Sequence, residues 1–203
     1  MDPDQHEAAL RLRALLDGLV GQPCFNALLG AGADYSLVLD LGEPQRRSLR
    51  LANPRLSFLQ RTYEGLAGLL VECPWRVEGP GGVAAACFEP RGPNEVGQQA
   101  IAELVERTVT AAAAEGPGFD LVLTLDDGWV LRAFAVQPGD NWSVWGPTGA
   151  VLVGPRSRLT PSPPPTPGGG GGPDLRPADQ EEAALARWRA RLEARRGGKP
   201  SND

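Results

Sequence analysis

The feature that most restricts the fold is a pair of segments that occurs twice in the same order. Leu37–Leu41 reads Leu-Val-Leu-Asp-Leu, and Leu121–Leu125 reads Leu-Val-Leu-Thr-Leu. Trp75–Pro80 and Trp142–Pro147 share the pattern Trp-x-Val-x-Gly-Pro. Alternating apolar residues predict strands for these segments, and an amphipathic helix is predicted before each copy. The sequence therefore predicts an internal duplication.

The two matches have different offsets, 84 and 67 residues, and an insertion of 17 residues around positions 52–68 of the first copy reconciles them. We predict an α+β fold with a mainly antiparallel sheet. Residues 1–158 would form one duplicated domain, with halves at about 1–90 and 91–158. A length of 203 residues accommodates such a domain and a tail.

Turn residues locate the hairpins of this sheet. Asp126-Asp127-Gly128 predicts a tight hairpin, because glycine accepts a positive φ without steric cost. The Gly-Pro-Gly-Gly run at 79–82 predicts another. Residues 69–77 are predicted as one continuous strand, and residues 53–66 as either a short helix or a long loop.

Two helices are predicted inside the domain. The first begins at Asp2-Pro3, and its buried face carries leucines at helical spacing. The second covers about 94–105. Residues 108–114 are ambiguous, because alanine favours a helix whereas Thr-Val-Thr favours a strand. We predict a strand, since a clear strand follows at 119–125.

The composition changes sharply after the domain. Residues 159–177 are rich in proline and glycine, which predicts a disordered linker that buries no core. Residues 178–197 then predict a C-terminal amphipathic helix, which opens with a capping-box-like Asp179 and Glu182. Leu185, Trp188 and Leu192 form its narrow apolar stripe.

Charge excludes some partners. The chain carries a net charge of -5. Its tail from Pro161 has seven basic and six acidic residues, which leaves -6 on the domain. Such a domain is a poor binder of nucleic acid, because affinity for phosphate depends on Lys and Arg. No stretch approaches the roughly 20 apolar residues of a membrane span. The three cysteines and the absence of a signal-like N-terminus predict reduced thiols in the cytoplasm.

Residues for catalysis or metal binding are sparse. The single histidine, His6, is predicted as an exposed helix residue. An Mg²⁺ or Ca²⁺ site built from aspartates such as Asp126, Asp127 and Asp140 is conceivable, although these residues fall in turns. The glycines at 30–32 precede a strand, whereas a nucleotide-binding loop follows one. We predict no catalytic residue, no metal and no cofactor.

The differences between the copies indicate candidate binding residues. Trp75 and Trp142 match and are predicted in the core. Trp145, in contrast, stands where the first copy has Glu78, and Ser143 stands where it has Arg76. Side chains alternate along a strand, so Trp145 lies on the face opposite Trp142. This face is either a contact surface, since aromatic residues are enriched at interfaces, or is covered by another segment.

The last helix allows three interpretations. It is a solubilising tail, it docks Leu185, Trp188 and Leu192 on the domain or on a partner, or it binds an anionic surface through its arginines. Glu181, Glu182 and Glu193 weaken the third interpretation. A linker raises the effective concentration of the helix at the domain, so we favour docking.

The second copy carries Asp-Leu-Val-Leu-Thr-Leu-Asp-Asp-Gly at 120–128 and Asp-Asn-Trp-Ser-Val-Trp-Gly-Pro-Thr-Gly at 140–149. These segments resemble small uncharacterised bacterial proteins, some of which are suspected toxin-immunity factors. The resemblance implies a bacterial protein that binds another protein without catalysis. Two alternatives remain: an enzyme acting on a small molecule through a carboxylate-bound metal, and a structural or assembly subunit.

Overall fold

A computed structural model describes residues 2–30, 36–47, 50–53, 56–87, 96–163 and 178–197. The helices are α1 (Pro3–Leu19), α2 (Phe58–Thr62), α3 (Val96–Ala102) and α4 (Ala178–Gly197). The strands are β1 (Cys24–Leu29), β2 (Leu37–Arg46), β3 (Tyr63–Val71), β4 (Trp75–Gly79), β5 (Gly82–Ala86), β6 (Val109–Glu115), β7 (Asp120–Leu125), β8 (Val130–Ala133), β9 (Trp142–Gly146), β10 (Gly149–Val153) and β11 (Leu159–Ser162). The predicted α+β class and the C-terminal helix are confirmed.

The chain divides into two compact units. Unit 1 comprises Met1–Pro44 and Gly65–Pro165, and unit 2 comprises Gln45–Glu64 and Thr166–Asp203. The boundary passes through β2 and β3. In the part of the chain that the structure describes, none of the helices is long and apolar enough to cross a bilayer.

Helix α1 begins where the sequence predicts. Asp2 is its N-cap, and the Asp2 carboxylate accepts a hydrogen bond from the backbone N–H of Asp4 at 3.3 Å. Pro3 occupies the first helical position, where no N–H is needed. Gly21, with a φ of 85°, then turns the chain towards β1. The buried face of the helix consists of Ala8, Leu12, Leu15, Leu16 and Leu19.

The strands form two antiparallel sheets. The first has six strands in the order β1-β2-β3-β9-β10-β11, and the second has five in the order β5-β4-β8-β7-β6. The chain passes from the first sheet to the second between β3 and β4, and returns between β8 and β9. Each sheet therefore combines three consecutive strands from one half with a hairpin from the other, and the first sheet also contains β11.

Apart from β11, the strands of the two sheets follow the same order. β1, β2 and β3 neighbour β9 and β10 in the first sheet, as β6, β7 and β8 neighbour β4 and β5 in the second. Backbone hydrogen bonds between the halves also occur in pairs related by a shift of 85 residues. These are Gly21 N to Val109 O (2.8 Å) with Glu106 N to Cys24 O (2.7 Å), and Cys24 N to Arg107 O (2.7 Å) with Val109 N to Gln22 O (2.9 Å). The arrangement is locally two-fold around the bridge between Pro23 and Thr108.

The hairpins and the tryptophans follow the sequence pattern. Gly82 and Gly149 end the two Gly-Pro-x-Gly turns, with φ values of 115° and 137° that glycine adopts without strain. Trp75 and Trp142 are both buried, at 4% and 0% exposure. The hairpins predicted at 79–82 and 126–128 and the predicted core positions of these tryptophans are confirmed.

The helices of unit 1 lie between the edges of the two sheets. Helix α1 contacts β6 of the second sheet and β9, β10 and β11 of the first, whereas α3 contacts β5 and β1. Each helix thus joins an edge strand of one sheet to strands of the other. The inward faces of both sheets and the apolar face of α1 form one hydrophobic core.

Unit 2 contains the C-terminal helix and the segment Gln45–Glu64, which runs from the end of β2 to the start of β3. The Tyr63 hydroxyl is hydrogen-bonded to Glu181 Oε1, and Arg46 Nη1 lies 3.9 Å from the same oxygen. Arg47 holds the segment together, because its Nη1 binds Glu64 at 2.9 Å and its Nε donates to the Tyr63 carbonyl at 2.9 Å. The start of α4 is therefore anchored to this segment.

Several boundaries differ from the predictions. Residues 69–77 are not one strand, because the N–H groups of Glu72 and Cys73 both donate to the Asn141 carbonyl and Pro74 has no N–H. Residues 53–66 contain α2, whose N-cap Ser57 forms a capping box, and the first residues of β3.

The predicted linker begins too early. Residues 159–162 form β11 instead, since Leu159 is buried at 2% exposure and its N–H binds Gln5. Residues 164–177 of the predicted linker lie outside the described residues. The second predicted helix is shorter than expected. Its start at 94–95 lies outside the described residues, and α3 ends at Ala102.

Candidate functional site

The predicted binding residue Trp145 is half-buried on the outer face of the first sheet. It lies opposite Gly68 of β3, and a Cβ atom on Gly68 would stand 2.3 Å from Trp145 Cζ2. The ring therefore occupies the space that the glycine leaves. Ser143 lies on the same face opposite Leu70. In this position the Trp145 ring packs over Gly68 on the neighbouring strand β3.

Arg76 and Glu78 lie on β4 in the second sheet. Arg76 Nε donates to Glu78 Oε1 at 2.7 Å, and Arg132 Nε of β8 lies 3.3 Å from the same carboxylate. The Arg76 guanidinium also lies 5.5 Å from the ring centroid of Phe134. The four domain residues predicted for binding are thus divided between two sheets and do not form one surface.

Two of the three residues in the predicted stripe of α4 are buried. Trp188 is 1% exposed and Leu192 is 6% exposed, whereas Leu185 is half-buried. All three belong to unit 2. Trp188 and Leu192 are therefore buried within unit 2, and Leu185 is partly exposed.

The aspartates considered for a metal site lie in two separate turns, Asp126 and Asp127 in one and Asp140 in the other. Asp126 and Asp127 face Arg107, whose Nη1 lies 2.9 Å from Asp127 Oδ2 and 3.9 Å from Asp126 Oδ1. The buried Arg107 guanidinium also stacks 4.8 Å from the Trp129 ring centroid. Asp140 lies in the turn before β9. Within the described ranges, no three metal-ligating side chains form a group that could hold an ion.

The cysteine thiols are buried. Burial, with a smaller contribution from the Asp40 carboxylate, raises the pKa of Cys24. Burial also raises the pKa of Cys73 to about 12. A nucleophilic cysteine requires a lowered pKa, because the thiolate is the reactive form. These two thiols are protonated at neutral pH, and their environment is that of core residues.

Corresponding strands of the two halves differ in exposure. On β1, Phe25, Asn26 and Leu28 are buried at 2%, 3% and 8% exposure. The shift of 85 residues relates them to positions of β6 that carry small, exposed side chains, namely Thr110, Ala111 and Ala113. Both are edge strands, but the outer face of β6 is open.

The hydrogen-bonding groups at the edge of β6 follow from strand alternation. Leu125 N donates to Trp129 O, so Leu125, Leu123 and Leu121 point their backbone groups towards β8. In the antiparallel register, Ala112 is opposite Leu123 and Ala114 is opposite Leu121. Ala112 and Ala114 therefore direct their N–H and C=O groups away from β7. β6 is the last strand of its sheet, so these groups meet no strand in the described part of the chain.

A groove lies beside this edge. It has a volume of about 390 Å³ and runs between α1 and β6. Its helix side consists of Ala9, Leu12, Arg13, Leu16 and Asp17, and its strand side of Ala112, Ala113, Ala114 and Phe119. Seven of the nine lining residues are apolar, backbone and charged groups contribute about half of the lining surface, and Arg13 and Asp17 pair at 4.0 Å.

The sequence predicts β6 as a strand but does not identify the groove. Alternation in Ala112–Ala114 cannot be read, because every residue there is alanine. Whether β6 lies at the edge of its sheet depends on the pairing of strands that are far apart in the sequence. The available signal was the contrast between Phe25, Asn26 and Leu28 and their small counterparts on β6, which requires the register of both strands.

Comparison with known proteins assigns no family. The chain matches no protein-family model, and searches of curated proteins and of solved structures return no match.

Proposed function

We propose that this protein works without catalysis, by binding an extended segment of another protein as an added strand beside β6. The observation that carries the proposal is the open edge of Ala112 and Ala114 next to the groove along α1. An added strand gains main-chain hydrogen bonds from such an edge, and adjacent pockets hold its alternate side chains.

The groove has the properties that such a segment requires. Leu12 and Leu16 line the helix side of the groove while remaining buried in the core, and β6 supplies small side chains that let a backbone approach closely. The exposed part of β6 carries Glu115 as its single charge and contains no proline. Edge strands normally carry features that block pairing, such as charges, prolines and bulges. The bulge of β6 lies between Val109 and Ala111, so the segment from Ala112 to Ala114 carries neither a bulge nor a charge nor a proline.

The predicted duplication is part of the same proposal. The shared strand order and the paired hydrogen bonds around Pro23 and Thr108 support a common origin of the halves. After duplication, the first half gained the segment between β2 and β3, where the second half has only the 3₁₀ turn Asp126–Gly128. The two edge strands then diverged, and β6 kept an open face.

The resemblance to suspected immunity factors suggests a more specific form of this proposal, in which the bound segment belongs to a toxin in a bacterial cytoplasm. The net charge of -5 suits a basic target. A toxin gene beside this gene supports that form, whereas a consistent metabolic neighbourhood contradicts it.

The binding mode is tested by selecting random displayed heptapeptides against the full chain. Ala114→Pro removes one outward N–H donor while leaving the bonds between β6 and β7, since edge strands accept proline at such positions. We expect it to weaken a selected peptide by at least about tenfold, which corresponds to roughly 1.4 kcal/mol. Ala111→Thr is the matched control, because it alters the exposed face and keeps every backbone donor.

A second measurement does not depend on a variant. Amide hydrogen exchange of Ala112 and Ala114 in the full chain is expected to slow when the selected peptide is added. The proposal is overturned if no peptide is enriched, or if Ala114→Pro, folded as judged by urea denaturation, binds as well as Ala111→Thr. A stable dimer by light scattering, with these amides protected before any peptide is added, would make the edge a self-association surface instead.

A further inference from the structure

A second cavity shares a lining residue with the groove along α1. This cleft has a volume of about 720 Å³ and is lined by Asp2, Gln5, Pro117, Phe119, Arg156, Ser157, Arg158 and Leu159. Phe119 lines both cavities. Because β6 runs from Val109 towards the turn at 116–119, a strand added beside it extends past Phe119 into the cleft.

Two arginines, Arg156 and Arg158, contribute positive charge to the cleft. Arg156 and Arg158 are exposed, and neither forms an ion pair with a carboxylate in the described ranges. The Asp2 carboxylate, which also lines the cleft, is engaged as the N-cap of α1. Guanidinium groups bind carboxylates through paired, charge-assisted hydrogen bonds. The cleft therefore offers two cations to a ligand in a domain that is otherwise acidic.

The loop that carries the arginines is held in a fixed conformation. Arg156 and Ser157 have φ values of 56° and 61°, in the left-handed region that side chains seldom adopt. The Gln5 amide fixes the end of this loop, because its Nε2 donates to Leu159 O at 3.1 Å and its Oε1 accepts from Leu159 N at 2.9 Å. Helix α1 thus positions the loop beside the end of the groove.

We infer that the segment bound beside β6 carries a carboxylate at the end that passes Phe119, and that Arg156 and Arg158 bind this group. The inference rests on the proposed strand-addition function and adds its specificity. The carboxylate belongs either to a chain terminus or to an acidic side chain. The chemistry at the two guanidiniums is the same for both sources.

The test uses heptapeptide libraries displayed in two formats, one with a free C-terminus and one with both ends joined to the carrier. The full chain is compared with the double variant Arg156→Gln/Arg158→Gln. We expect the wild type to enrich peptides with a carboxylate at one end. We expect the variant to lose this preference and to bind a selected acidic peptide at least about tenfold more weakly. Enrichment in the free format alone identifies a terminal carboxylate, and enrichment of acidic residues in both formats identifies a side chain.

The control Arg11→Gln/Arg187→Gln removes the same charge from exposed positions outside the cleft, and is expected to bind like the wild type. The carboxylate inference is overturned if the wild type shows no acidic preference, or if the Arg156 and Arg158 variant keeps it. If Ala114→Pro abolishes binding while the arginine variant has no effect, strand addition stands and this inference alone fails. If no peptide is enriched, both fail.

Discussion

Gly68→Ala should destabilise the protein strongly, and its effect should depend on Trp145. A Cβ atom at this position would lie 2.3 Å from Trp145 Cζ2 and 2.5 Å from the Leu39 carbonyl oxygen. Carbon atoms normally approach to about 3.5–4.0 Å. Overpacking costs about 1–3 kcal/mol, and the backbone oxygen of Leu39 cannot move aside as a flexible side chain would. We expect a loss of about 3 kcal/mol in the free energy of unfolding.

The coupling to Trp145 gives the prediction its specificity. Trp145→Ala alone removes ring contacts and should cost about 1–2 kcal/mol. In the double variant Gly68→Ala/Trp145→Ala the contact with the ring no longer exists. The double variant should therefore lose about 1–2 kcal/mol less free energy of unfolding than the sum of the two single variants. The contact with Leu39 O remains, so stability is not fully restored.

Urea denaturation of the four proteins measures this cycle. Gly139→Ala is the control, because a Cβ atom there meets nothing within 4 Å, and its effect should stay within about 0.5 kcal/mol. If the losses at Gly68 and Trp145 add within about 0.5 kcal/mol, the ring does not fill the space of the glycine. Trp145 would then return as a candidate contact residue.

Three further predictions concern the framework of the fold. Arg107→Met should lower the free energy of unfolding by about 3 kcal/mol, measured in urea, because it leaves the Asp126 carboxylate, 11% exposed, without its buried cation; a loss below about 1 kcal/mol would contradict this. The pKa of Cys73 is raised from 9.0 to about 12, so the unfolded chain loses this proton first and stability should fall as pH rises from 9 to 12. The stability of Cys73→Ala should decrease less steeply with pH over that range. Equal slopes for the variant and the wild type would show that the pKa of Cys73 is not raised in the folded protein. Asp2→Ala should cost about 0.5–1 kcal/mol by thermal unfolding through loss of the N-cap of α1, and an unchanged melting temperature would show that the cap is not used.

Much of the local structure could be predicted from residue patterns. The capped leucine helix, the leucine strands, the buried Trp75 and Trp142 and the tail helix all depend on spacing and turn chemistry between residues close in sequence. The errors arose where that information is ambiguous. One is the break after Val71, where the strand is interrupted by bonds from Glu72 and Cys73 to the distant Asn141.

The candidate site, in contrast, could not be predicted from residue patterns. The alanines of β6 show no alternation, so the sequence determined only that they form a strand. Tertiary structure decided that β6 ends its sheet, that α1 lies beside it and that Arg156 and Arg158 stand near the end of the groove. The physical reason is that strand pairing and edge exposure depend on contacts between segments far apart in the chain. Helix caps, turns and apolar periodicity, in contrast, are set by neighbouring residues.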